Sequence, residues 1–158
     1  MDVVDIGSAV WVDVNMGYLL PGTVVSVLGS HVKVRLDDNR EVYTVHSHLV
    51  RPLINSGPNG YEDMIKMDDL HEGSILFNMK KRYRNGLIYT YIGQILMSVN
   101  PYKMFDIYGL DKVKEYEGKP IGELPPHIFA IGNAAYYQML KDGINQVVVI
   151  SGESGAEV

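Results

Sequence analysis

Apolar and polar positions alternate with a period of two over residues 31–36. Val32, Val34 and Leu36 fall on one side, and His31, Lys33 and Arg35 on the other. That period predicts a strand with one face against a core. Gly29-Ser30 precedes it, and Thr23 to Leu28 is a second β-branched run before that pair. A Gly-x dipeptide between two such runs predicts a tight hairpin of type II′. Val10 to Val14 reads as an earlier strand. Asp37-Asp38-Asn39 turns the chain into Glu41 to Val45, and His48 to Val50 closes the set. Five short strands with tight turns predict a small antiparallel barrel of SH3-like type. A packing module and a binding module are both open to such a barrel, and the sequence has no exposed aromatic groove of the kind that holds Pro-rich peptides. Trp11 is assigned to core or docking surface.

The pattern changes after residue 50. Arg51 to Gly60 carries two Pro, two Gly and two Asn and reads as a linker. Glu72 to Arg84 has helical periodicity, with Ile75, Leu76, Met79 and Tyr83 on one face. Lys80, Lys81, Arg82 and Arg84 fill its last turn, where cations suit the helix dipole, and they are expected to be solvated. Asn85-Gly86 ends the helix. Leu87 to Ile92 and Ile95 to Val99 form a second hairpin turned at Gly93-Gln94. It runs directly into Asn100-Pro101-Tyr102-Lys103. Gly118 to Pro126 is loop, and His127 to Lys141 is a helix between Pro125-Pro126 and Gly143. Gln146 to Ser151 is apolar and β-branched and reads as a strand. The fold class is α+β, divided at residues 1–55 and 56–158.

Composition narrows the function classes. The chain has 158 residues, 46% of them hydrophobic, which is ample for a core. It has no cysteine, hence no disulfide framework and no thiolate metal site. No apolar run approaches the ~20 residues that span a bilayer. A net charge of −5 gives no sign of nucleic-acid binding or of attraction to an acidic membrane. The five His are scattered. His46 and His48 alternate on a strand, and no metal role is assigned to them.

The chemistry sits near residue 150. Val147-Val148-Val149-Ile150-Ser151 leads into Gly152-Glu153-Ser154-Gly155-Ala156. A β-branched run entering a Gly-rich turn is how a phosphate-binding loop of pattern G-x-x-x-x-G-K-S/T begins. By itself the turn is also an ordinary strand-to-loop junction. Glu157 stands where the second Gly belongs and Val158 where the Lys belongs. Gly lets the backbone N–H groups approach phosphate oxygens. The Lys reaches the outer phosphates, and the Ser/Thr binds Mg²⁺. A carboxylate at that point has the wrong sign for an anion.

From Glu62 onward the chain resembles the start of a myosin motor domain. Four segments carry the likeness in order. They are Glu62-Asp63-Met64 with Asp68-Asp69-Leu70, then KKRYRNGLIYTYIGQILMSVNPYK (80–103), then IGELPPHIFAIGNAAYYQML (121–140), then VVVISGESGA (147–156). The barrel before them looks like the SH3-like subdomain that precedes a myosin motor. SVNPYKMFDIYG and GELPPHIFAI look closest to the unconventional classes VII, X and XV. The resemblance implies an N-terminal fragment of an actin-based, ATP-driven motor, cytoplasmic and cytoskeleton-associated, with actin filaments as partner and ATP with Mg²⁺ as cofactor. It assigns Asn100, Pro101, Tyr102, Lys103 and Tyr108 to an adenine pocket, and Gly152, Glu153, Ser154, Gly155 and Ala156 to the phosphate loop. It implies no catalytic residue and no metal ligand within the chain. Switch segments, actin-binding surfaces and lever arm come later in this family, so the chain alone is expected not to bind ATP or actin. A short non-motor protein using the barrel as a scaffold is the alternative.

Overall fold

A computed structural model describes residues 4–54 and 57–152. These residues form two compact units. The first runs up to Gly60 and includes Met67–Lys81. The second comprises Tyr61–Lys66 and what is described from Arg82 onward.

The first unit is built on a five-stranded antiparallel sheet. Its strands are β1 (Ala9–Val12), β2 (Leu20–Leu28), β3 (His31–Leu36), β4 (Val42–His46) and β5 (Val50–Pro52). Their order is β4-β3-β2-β1-β5. The alternation read from β3 holds: Val32, Val34 and Leu36 are buried, and the residues between them are exposed. They pack with Val10, Val12, Val24 and Val50 into one core. Gly29 takes a positive φ of 59° and Ser30 does not, as a type II′ turn requires. A single 3₁₀ turn, Ser47–Leu49, occupies most of the stretch read as a closing strand, so β5 begins at Val50. Trp11 is buried, edge-on to His71 and Phe77 at 4.8 and 5.5 Å between ring centres.

Helix α1 spans Glu72–Arg84, the bounds expected from its periodicity. Its buried face is not the expected one. Leu76 is 56% exposed and Tyr83 is also exposed, while Ser74, Asn78 and Arg82, spaced four apart, are buried. Hydrophobicity alone misassigns the face because hydrogen bonds satisfy these polar groups. The Ser74 hydroxyl donates to the His71 carbonyl and accepts from the His71 N–H. Arg82 therefore leaves the cationic turn expected to be solvated. The helix ends in a Schellman motif: Leu87 N–H donates to Arg82 O, and Gly86 N–H, at φ 76°, to Tyr83 O.

The second unit holds the hairpin β6 (Tyr89–Ile92) and β7 (Ile95–Ser98), with helices α2 (Leu110–Tyr116) and α3 (Ile128–Asp142). Helix α2 falls in a stretch for which the sequence pattern predicts no element. Its N-cap is Gly109, which offers no side-chain cap. The stretch Gln146–Ser151, read as a strand, has no strand structure. Val147 is 84% exposed, and Val148, Val149 and Ile150 are exposed too. A strand exists only through a ladder with a neighbour, and no described strand pairs with this one.

Candidate functional site

The site grows from the β6–β7 hairpin. Tyr89 to Ile92 lie opposite Ser98 to Ile95 in register, and Gly93 at φ 59° makes the turn. Residues 61–66 lie beside β6. Tyr91 N–H donates to Glu62 O at 2.8 Å, and the Asp63 carboxylate accepts from the N–H groups of Gly93 and Ile65. Beneath the hairpin sits Arg82, 2% exposed. Its Nε donates to Thr90 Oγ1 and its Nη2 to Tyr89 O, each at 2.9 Å. Burial pushes the guanidinium below its usual range, with Glu62 acting in the opposite direction.

Beyond β7 the chain turns sharply. Asn100 Oδ1 accepts from Tyr102 N–H at 2.8 Å, an Asx turn that holds the Asn100-Pro101-Tyr102 corner. Tyr102 stands at φ 50° and is 90% exposed. A left-handed, non-glycine residue at an exposed corner is an uncommon conformation that presents its ring to solvent. Lys103 Nζ lies 5.0 Å from the centre of the Phe105 ring.

Tyr108, expected in the same pocket, is anchored differently from Tyr102. Its hydroxyl is 2.8 Å from that of Tyr89, and its ring meets those of His127 and Phe129. Burial, followed by the bond to Tyr108, pushes the Tyr89 phenol well above its ordinary value. His127 organises the cluster. It is the N-cap of α3, where Nδ1 accepts from Phe129 N–H at 3.0 Å. Nε2 lies 2.9 Å from Ile107 O and must donate to it. Those two bonds require the neutral Nε2–H tautomer. Burial lowers the imidazole below its ordinary value. Tyr89, Tyr116 and Phe129 ring His127 at 4.6–5.2 Å between centres. The Tyr116 hydroxyl donates to Pro125 O.

The fold thus gathers Asn100, Pro101, Tyr102, Lys103 and Tyr108 on one loop. Of the phosphate-loop residues, Gly152 is exposed on irregular backbone. Glu153, Ser154, Gly155 and Ala156 lie outside the described residues. Sequence reasoning missed Arg82, Tyr89 and His127 as organisers. Pro125-Pro126 before His127 marked a helix start, but histidine is not among the usual capping residues.

The profile of the myosin head (motor domain) family matches residues 61–157, which takes in both units' boundary segments, the hairpin and the Asn100–Tyr108 loop. The chain belongs to the myosin head family. Relatives agree. Myosin-VIIa of Drosophila melanogaster is 44% identical over 160 residues, covering 99% of this chain and 7% of that protein. Unconventional myosin-XV of Homo sapiens is 53% identical over 100 residues, covering 63% of this chain and 3% of the relative. Myosin-13 of Arabidopsis thaliana is 40% identical over 154 residues, covering 97% and 10%. The chain spans a tenth or less of the length of these myosins. Classes VII and XV, named from the sequence, are among those it matches.

Proposed function

We propose that the chain is part of the motor head of an unconventional, actin-based, ATP-driven myosin. In this reading the second unit supplies the base-side wall of the nucleotide pocket, and the first is an SH3-like packing module. The family match over 61–157 carries the proposal, because it spans the loop that Tyr89 and His127 hold in place. The strand order β4-β3-β2-β1-β5, with a 3₁₀ turn before the last strand, supports the SH3-like assignment.

ATP with Mg²⁺ is the cofactor this reading implies. Asn100, Pro101, Tyr102, Lys103 and Tyr108 suit a flat base: an exposed ring and a Pro edge for contact, and polar groups for orientation. Glu157 and Val158 do not suit the phosphates, since neither supplies the close backbone approach or the cation that a triphosphate needs. This chain alone is therefore expected to bind Mg-ATP no more tightly than about 1 mM, roughly −4 kcal/mol. Calorimetric titration checks this, and a micromolar constant refutes it. A longer product of the same gene that continues this segment with Gly-Lys-Ser/Thr should show actin-activated ATP hydrolysis; a product without it overturns the motor reading.

The valine core of the first unit, closed on its own residues, favours a second reading as a short scaffold protein. Hydrogen exchange separates the two. Cooperative protection across Leu87 to Val99 together with Val147 to Ile150 supports the scaffold; unprotected amides over Val147 to Ile150 support the motor part.

A further inference from the structure

The methionines of the chain differ widely in their access to water. Met104 is 94% exposed, Met16 61% and Met139 38%, whereas Met64 is wholly buried at 0%. We infer that Met104 is the site at which this chain is oxidised by peroxides, and that the fold tolerates the change there. The oxidant is hydrogen peroxide or an organic hydroperoxide. A lone pair of the Met104 sulfur attacks the terminal peroxide oxygen, an S–O bond forms and the O–O bond breaks. The proton of the transferred oxygen passes to the departing one, which leaves as water or an alcohol. Sulfur loses two electrons, the peroxide gains them, and the product is methionine sulfoxide. Sulfoxide reductases return the thioether, so the mark is reversible.

Place singles out Met104 as well as exposure. It lies outside any helix or strand, in the middle of the Asn100–Tyr108 loop. Both ends of that loop are fixed. On one side Asn100 Oδ1 accepts from Tyr102 N–H at 2.8 Å. On the other, His127 Nε2 donates to Ile107 O at 2.9 Å, and the Tyr108 hydroxyl meets that of Tyr89 at 2.8 Å. The flanking residues face each other, with Lys103 Nζ 5.0 Å from the centre of the Phe105 ring. An oxygen added to the Met104 sulfur therefore stays in water and displaces no packed group. At Met64 the same oxygen would enter a buried position, and the sulfur can be reached only when the fold opens. In the reading proposed above, this loop walls the base side of a nucleotide pocket, and the sulfoxide makes that wall more polar. That consequence rests on the reading; the oxidation itself does not.

The test is timed peptide mapping of the folded chain in dilute hydrogen peroxide, with sulfoxide quantified at Met104, Met16, Met139 and Met64. Met104 should lead, ahead of Met64 by about tenfold or more, because a buried sulfur reacts only through opening of the fold. In denaturant the four rates should converge. Met104→Leu should abolish the mark in the loop and leave the other three rates unchanged. Hydrogen exchange at the amides of Tyr89 to Ser98 should be the same before and after Met104 is oxidised. Equal rates in the folded chain, a faster rate at any of the other three, or exchange over Tyr89 to Ser98 that accelerates with oxidation of Met104 each overturn the inference. No nucleotide enters the measurement, so its failure leaves the base-side reading standing, and a failure of that reading leaves the oxidation site standing.

Discussion

Replacing Arg82 tests whether a buried cation, rather than an apolar stripe, holds the hairpin. The guanidinium is almost wholly out of water and donates to Thr90 Oγ1 and Tyr89 O. Arg82→Ala removes those bonds and leaves the Tyr89 carbonyl buried without this donor. Each bond to a charged donor contributes about 1.5–3 kcal/mol, and an orphaned buried acceptor costs about 1–3 kcal/mol. Breaking a buried charged network at one partner costs about 3–5 kcal/mol. Arg82→Lys keeps the charge but not the planar fork, so about half of that loss is expected, ~2 kcal/mol. The assay is hydrogen exchange at the amides of Tyr89 to Ser98. A loss of 3 kcal/mol accelerates it about a hundredfold. Trp11 fluorescence reports that the first unit remains folded. Acceleration below about fivefold in Arg82→Ala, ~1 kcal/mol, would refute the role assigned here. So would a Lys variant as damaging as the Ala variant.

His127 should lose its cap on acidification. Its folded value lies below the ordinary 6.5, so the unfolded chain binds the extra proton first. Stability of the second unit is then fully present above pH 6.5 and falls as pH drops through the folded value. An imidazole resonance titrating at or above 6.5 contradicts this. Gly73→Ala should destabilise the first unit by about 1–3 kcal/mol, because the added Cβ would stand 2.2 Å from the Leu19 carbonyl oxygen. An unchanged urea midpoint followed by Trp11 fluorescence would show that the backbone yields freely. Tyr108→Phe strips the Tyr89 hydroxyl of its partner and should cost about 1 kcal/mol, with Tyr89 ionising at lower pH in a spectrophotometric titration.

Much of the fold was legible because local signals agreed. The β2–β3 hairpin was marked by alternation on β3, by the β-branched run of β2 and by Gly29, and the ends of α1 by its period and Asn85-Gly86. Three features were not legible. The buried face of α1 is polar, and a hydropathy pattern cannot register Ser74, Asn78 and Arg82 when hydrogen bonds offset their burial. Helix α2 is seven residues long and lacks a side-chain cap. The 146–151 segment has strand composition, but a strand depends on a neighbour that composition does not reveal. Within the site, the NPYK loop was visible as a motif. Its supports, Tyr89 and His127, were not, because their roles depend on contacts 19 and 20 residues away.

The exposed run from Val147 to Ile150 also governs how the protein behaves as a solute. Asn145 to Ile150 has high β-propensity, no charge and no proline, and stands in water with every apolar side chain available. Identical segments from many copies can stack in register, each backbone pairing with the copies above and below. The tendency rises steeply with concentration, whereas the fold of a single copy does not depend on it. A concentrated sample is therefore expected to associate through this run more than a dilute one. A charged replacement on this run, such as Val148→Lys, should raise the solubility limit without touching the hairpin.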